Sequence, residues 1–98
     1  MKKHKNLLSL NEHQLLDFLK IISDDERFKI IHLLRQKSYC VCELSQLLDL
    51  PQNLISYHLK VLKDFRIINL KKNGRKNFYS INIKILSSLC YILNKDLT

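Results

Sequence analysis

Two cysteines two positions apart, Cys40 and Cys42, are the residues of this 98-residue chain whose type and spacing most directly suggest chemistry. A thiolate is a soft ligand suited to As(III), Sb(III), Cd(II), Pb(II) or Hg(II). It is also the reactive species in redox and persulfide chemistry. The spacing adds a condition. Residues two apart in a regular helix point about 200° away from each other, whereas in extended backbone they point the same way. Gripping one ion with both sulfurs therefore needs, or imposes, a non-helical start to the helix that follows. Two thiols leave a trigonal site incomplete, and a third ligand could come from His4, Cys90, an exogenous thiol or water. Cys90 falls on the apolar side of a C-terminal helix and reads first as core. Three cysteines, an odd number, do not make a disulfide framework.

The second chemistry is electrostatic. The formal net charge is +8, and residues 51–98 carry nine Lys/Arg against Asp64 and Asp96, so nearly all the excess lies in that half. Most of it sits between Lys60 and Lys76, a strip on which a polyanion would bind with release of counterions. Length allows one domain, residues 1–98, with residues 1–8 as a flexible basic arm. Apolar residues make up 46% of the chain and charged residues 27%, which argues against disorder. No apolar run approaches the ~18 residues that span a bilayer. The basic Met1–Lys5 is followed by Asn11, Glu12, His13 and Asp17 rather than by a signal-peptide run. These features predict a cytoplasmic protein with no membrane partner. The pattern also lacks a C-x-x-C beside a βαβ unit, a Gly-rich phosphate loop, paired carboxylates and a nucleophile elbow, so no enzyme is predicted.

These residues must be held by helices joined with short connections, since the chain has one Gly and one Pro. Ser9 and Ser23 each open an S-x-x-E capping box. Leu15, Leu16, Leu19 and Ile22 form the stripe of a first helix, and Phe28, Ile30, Ile31 and Leu34 that of a second. A third helix spans Glu43 to Leu48 with Leu44, Leu47 and Leu48 inward. Asp49-Leu50-Pro51 then makes a tight turn, with Pro51 in the first turn of a fourth helix reaching about Phe65 and burying Leu54 or Ile55, Leu59 and Leu62. Next the period changes to that of a hairpin about the strong turn signal Asn73-Gly74. That turn predicts Lys72 opposite Arg75, Leu70 opposite Asn77 and Ile68 opposite Tyr79. One face then carries Ile68, Leu70, Tyr79 and Ile81, while Asn69, Lys71, Lys76, Phe78 and Ser80 share the other. Asn82 caps a last helix with Ile85, Leu86, Leu89, Ile92 and Leu93 on one side.

A short helix, a turn and a polar-studded helix are the parts of a helix-turn-helix, here at about residues 42–65. The hairpin at about residues 67–82 is then its wing, and the fold class is mainly α with one small β-hairpin. The fourth helix offers Gln52, Asn53, Ser56, Tyr57 and Lys60 to a major groove. Gln and Asn can pair with adenine edges, and Ser or Tyr can donate to phosphate. Lys71, Lys72, Arg75 and Lys76 crowd the hairpin tip, where they would follow the backbone or enter a minor groove. The apolar stripes of the first and last helices, about 10–22 and 83–95, suit a shared dimer core. A non-specific nucleic-acid or protein-interaction module is the rival reading.

Leu19 to Asn82 resembles the ArsR/SmtB family of metal-responsive winged-helix repressors. The resemblance rests on Ser23–Ile31, Cys40–Leu44, Ser56–Leu62 and Gly74–Tyr79. It implies a homodimer built on the first and last helices that binds an imperfect palindrome of double-stranded DNA and represses its own operon. It also implies that Cys40 and Cys42 sense As(III), Sb(III), Cd(II) or Pb(II), and that His58 hydrogen-bonds within the helix-turn-helix. The chain departs from the pattern at Ser45, where some arsenic-responsive members carry a further Cys. It also lacks the N-terminal cysteines of cadmium/lead members and the last-helix ligands of zinc members. Redox or persulfide sensing through the same thiols, or repression with no inducer, remain open alternatives.

Overall fold

The computed structural model describes residues 12–97, so the basic arm 1–8, His4 and the Ser9 capping box lie outside the described residues. Five helices and a hairpin follow in the expected order: α1 (Glu12–Ile22), α2 (Asp25–Leu34), α3 (Val41–Leu48), α4 (Gln52–Asp64), β1 (Ile68–Asn73), β2 (Lys76–Ile81) and α5 (Ile83–Leu97). Their shared core is formed by side chains such as Ile30, Leu44, Ile55, Leu59, Leu62, Ile67 and Ile68. This is a winged helix-turn-helix: α3 and α4 form the motif, and the hairpin is the wing.

Two of the predicted helical stripes are rotated. In α1 the inward residues are Leu15, Phe18 and Ile22, whereas Leu16 and Leu19 are exposed, Leu16 by 56%. Phe18 reaches Phe65 after α4 with ring centroids 6.2 Å apart, and that contact sets the rotation. In α2 the expected Phe28 is 57% exposed. Arg27 takes the inward place instead, one turn before Ile31 and two before Leu34. The cap is also one residue later than the Ser23 box predicts. Asp24 is the N-cap, its Oδ2 accepting from the Arg27 amide at 3.0 Å, while the Ser23 hydroxyl donates to the Lys20 carbonyl at 2.8 Å. That amide bond holds the Asp24 carboxyl below its ordinary value, with the charge of Arg27 adding to the effect.

The helix-turn-helix is closed by left-handed backbone at its turn. Asp49 has φ 56°, and the Leu50 amide donates to the Ser45 carbonyl at 3.1 Å. The Ser45 hydroxyl donates to the Leu50 carbonyl at 2.5 Å, so Ser45 bonds the turn in both directions. Leu47, expected inward, is exposed, and Pro51 is the N-cap of α4 rather than part of its first turn. Along α4, Ile55, His58, Leu59 and Leu62 are buried, one stripe at spacings of three and four.

The hairpin keeps its predicted faces but not its predicted register. Ile68 lies opposite Ile81, Leu70 opposite Tyr79, Lys72 opposite Asn77 and Asn73 opposite Lys76. The turn is therefore Gly74-Arg75. Positive φ is confined to Gly74, at 66°, the first of the two turn residues, which is the pattern of a type II′ turn. Each partner has moved by two residues, and a shift of two returns every side chain to its original face. Asn82 caps α5 as expected, its Oδ1 accepting from the Lys84 amide at 3.2 Å. Cys90 is not core but exposed, because Ile85 and Leu89 already supply the inward face of α5. The side chains of Ile92 and Leu93 lie outside the described set.

Candidate nucleic-acid interface and thiol site

The outward stripe of α4 is the complement of its buried stripe. Gln52, Asn53, Ser56, Tyr57 and Lys60 are all exposed, Gln52 at the helix start and the others on the side away from Ile55, Leu59 and Leu62. Lys60 is partly committed, since its Nζ pairs with Asp64 Oδ2 at 2.8 Å one turn on. That bond raises the Lys60 value and lowers that of Asp64. At the wing tip, Lys71, Lys72, Arg75 and Lys76 are exposed, and among the described residues none of them makes a salt bridge. Strand alternation puts Lys71 and Lys76 on one face of the hairpin and Lys72 on the other. The tip thus carries positive charge on both faces.

The fourth helix is tied down from behind through His58, whose hydrogen-bond partners lie on α2 rather than within the helix-turn-helix that the resemblance implied. His58 is buried, with 4% of its surface exposed. Its Nε2 lies 2.8 Å from Glu26 Oε1 and its Nδ1 lies 3.2 Å from an Arg27 guanidinium nitrogen. Arg27 Nε donates in turn to the Ile21 carbonyl at the end of α1, at 2.8 Å. A guanidinium only donates, so Nδ1 accepts and the ring proton sits on Nε2, where it is donated to Glu26. Asp24, Glu26 and His58 bring possible metal donors within 4.8 Å of one another. Both ring nitrogens are engaged by side chains of α2, and these bonds position α4. His58→Ala is expected to lower stability by roughly 2–3 kcal/mol and to weaken DNA binding, leaving any ion response intact. Urea denaturation with DNA titration checks this, and a change in stability below about 0.5 kcal/mol would show that the network is not holding the helix.

The thiols frame the start of α3. Cys40 is the N-cap, 7% exposed, with extended backbone at φ −94° and ψ 170°. The helix begins at Val41, earlier than the predicted Glu43, so exposed Cys42 already lies inside it. The required non-helical start is therefore present for one cysteine and absent for the other. Glu43 completes a capping box of spacing C-x-x-E, with cysteine in the place usually held by Ser or Thr. Its Oε1 accepts from the Cys40 amide at 3.0 Å. Bonds from the Cys40 amide and thiol, and then the charges of Lys37 and Lys76, hold the Glu43 carboxyl below its ordinary value. The position where a third thiol would stand is Ser45, whose hydroxyl is spent on the turn. Among the described residues, Cys40 and Cys42 are not part of a cluster of three possible metal donors.

Residues 24–69 match the family model described as bacterial regulatory protein, arsR family, a span from the α2 cap into the wing. The arsenical resistance operon repressor of Staphylococcus aureus is 35% identical over 81 residues, covering 83% of this chain and 78% of that protein. The chain belongs to the arsR family. An ArsR-family chain of this build is a DNA-binding transcriptional repressor, not an enzyme. The cadmium resistance transcriptional regulatory protein CadC of Listeria innocua is 39% identical over 72 residues, which span 71% of this chain and 60% of that one. Among solved structures, the homodimeric winged helix-turn-helix DNA-binding domain of Mb0332 from Mycobacterium bovis superposes with a TM-score of 0.71 at 18% identity. The match covers 86% of this chain and 79% of that one, and at this identity the likeness is one of fold. Among the described residues, no helix of this ArsR-family chain is long and apolar enough to cross a membrane.

Proposed function

We propose that this ArsR-family repressor binds its operator as a cytoplasmic homodimer and is released when a soft metal or metalloid binds Cys40 and Cys42. The observation that carries the reading is the placement of the two thiols at the N-cap and first turn of α3, the scaffold helix of the DNA-binding motif. An ion that needs both sulfurs on one side favours an unwound start to α3, whereas DNA favours the helix-turn-helix intact. Ligand and operator then select different states of one element. As(III), Sb(III), Cd(II) and Pb(II) have the required softness, and relatives bear names of arsenical and cadmium resistance. The third ligand would be His4, Cys90, an exogenous thiol or water.

Dimerisation is supported by exposed apolar surface on the two terminal helices. Leu16 and Leu19 stand one turn apart on α1. On α5, Ile83, Ser87, Cys90 and Tyr91 share an exposed, uncharged stripe. The Mb0332 domain is itself homodimeric. Two-fold symmetry would present Gln52, Asn53, Ser56, Tyr57 and Lys60 from each protomer to half-sites about one helical turn apart, hence an imperfect palindrome.

Fluorescence anisotropy on promoter DNA, with As(III), Sb(III), Cd(II), Pb(II) and Zn(II) added in turn, tests the reading. Release by at least one soft ion, with Zn(II) weaker, is expected. Release only by an oxidant or persulfide donor, reversed by a reducing thiol, would replace ion sensing with thiol redox sensing. No release by any of them would leave a repressor without an inducer.

A further inference from the structure

The residue before Cys40 is bonded to the wing. Tyr39 forms an isolated antiparallel bridge with Tyr79 of β2: its amide donates to the Tyr79 carbonyl at 3.1 Å, and the Tyr79 amide donates to its carbonyl at 2.8 Å. Tyr79 therefore turns its backbone groups away from β1 and toward Tyr39, which covers that point of the strand's outer edge. The peptide unit that joins Tyr39 to Cys40 is held from two sides. Its carbonyl accepts from the wing, and its N–H donates to the Glu43 carboxylate at 3.0 Å. A peptide unit is planar, with C=O and N–H on opposite edges. One rigid plate thus carries the wing on one edge and the start of α3 on the other.

We infer that Glu43 is a positioning residue that couples the thiol site to the wing, by holding the Tyr39–Cys40 peptide plane that Tyr79 also grips. The inference rests on the proposed binding of an ion by Cys40 and Cys42. Cys40 is already extended, so bringing the two sulfurs to one side means unwinding Val41 and Cys42 from the first turn of α3. That carries Glu43 away from the Cys40 amide, and a plate released on its Glu43 edge holds the Tyr79 amide less firmly. The ion then acts on both DNA-contacting parts, on α4 through α3 and on Lys71, Lys72, Arg75 and Lys76 through β2.

Amide hydrogen exchange by NMR on the full chain, with and without Cd(II), tests this. Cd(II) binding is followed separately by thiolate-to-metal charge-transfer absorption. In the unchanged protein Cd(II) is expected to speed exchange of the Tyr79 amide about tenfold, with the Leu62 amide of the core unaffected. Glu43→Ala should speed Tyr79 exchange by a similar factor of about ten without any ion, and Cd(II) should then add little. Glu43→Gln keeps a carbonyl acceptor and should restore most of the protection. A merely structural role for Glu43 would speed Leu62 and Tyr79 alike, and that result would overturn the inference. So would a charge-transfer band with unchanged Tyr79 exchange, which would leave ion binding standing. Absence of the band in the unchanged protein would defeat the ion reading itself, and the coupling with it.

Discussion

Cys40→Ser and Cys42→Ser are each expected to abolish release from the operator by a soft ion while leaving DNA affinity within about threefold of the unchanged protein. The two substitutions are safe for different reasons. Cys42 is exposed, so a smaller polar atom there disturbs no packing. Cys40 is buried, but it is the N-cap of α3, a position where serine is among the favoured residues and cysteine is not. Serine at 40 should therefore keep or improve the cap to the Glu43 amide, and the helix-turn-helix should remain formed. What is lost is softness: a hydroxyl is a hard, protonated ligand at neutral pH and does not replace a thiolate toward As(III) or Cd(II). Fluorescence anisotropy with ion titrations reads both quantities in one experiment. Release that survives both substitutions would show that the ion acts elsewhere in the chain. Loss of DNA binding by Cys40→Ser before any ion is added would show that the sulfur itself is needed for the helix start.

The second large effect concerns the wing. Removing all four tip cations, Lys71, Lys72, Arg75 and Lys76, by alanine substitution should reduce the slope of log affinity against log salt by about 0.9 for each phosphate no longer neutralised. If all four reach phosphates, the slope falls by roughly 3–4 per protomer, and affinity near physiological salt falls by about a hundredfold or more. The effect should be nearly the same for cognate and unrelated DNA, because phosphates carry no sequence. Gln52→Ala and Asn53→Ala should behave oppositely. Each should cost about 1–3 kcal/mol on the operator, relax base preference at one position and leave the salt slope alone. Lys60→Ala should alter the slope less than any wing cation, since Asp64 already holds its ammonium. Salt titrations on operator and scrambled duplexes separate these classes. If wing and helix variants changed slope and specificity alike, the assignment of helix to groove and wing to backbone would be wrong.

Both predictions rest on residues visible in the sequence, and the reason is local. The reading face of α4 follows from a helical period in which Ile55, Leu59 and Leu62 repeat on one side, so Asn53, Ser56 and Tyr57 must lie on the other, with Gln52 exposed at the helix start. The wing's faces follow from alternation, which survived an error of two residues in register because that is the full period of a strand. What misled the register was the strength of Asn-Gly as a turn signal; the chain turns at Gly74-Arg75 instead, pairing Ile68 with Ile81 at the base of the hairpin. The stripes of α1 and α2 were rotated for a related reason. Both helices have apolar residues on more than one side, so period alone did not choose between Phe18 and Leu16, or between Arg27 and Phe28. The choice came from partners distant in sequence, Phe65 for one and His58 for the other.

The thiols show the same division. The sequence by itself determined that Cys40 and Cys42 stand at the start of a scaffold helix, that they are soft ligands, and that regular helix would hold them apart. It also determined the order of elements and the sign and place of the charge, because period, caps and composition act over a few neighbouring residues. Only the tertiary structure decided that Cys40 is a buried cap while Cys42 is exposed, and that Ser45 is taken up by the turn. It alone showed the Tyr39–Cys40 peptide gripped by Glu43 on one edge and by Tyr79 on the other, and His58 held by Glu26 and Arg27. The peptide plate and the His58 network each need groups thirty or more residues apart to meet. A hydrogen bond reaches only about 3 Å, so such meetings are settled by packing of the whole domain and leave no local trace in the chain.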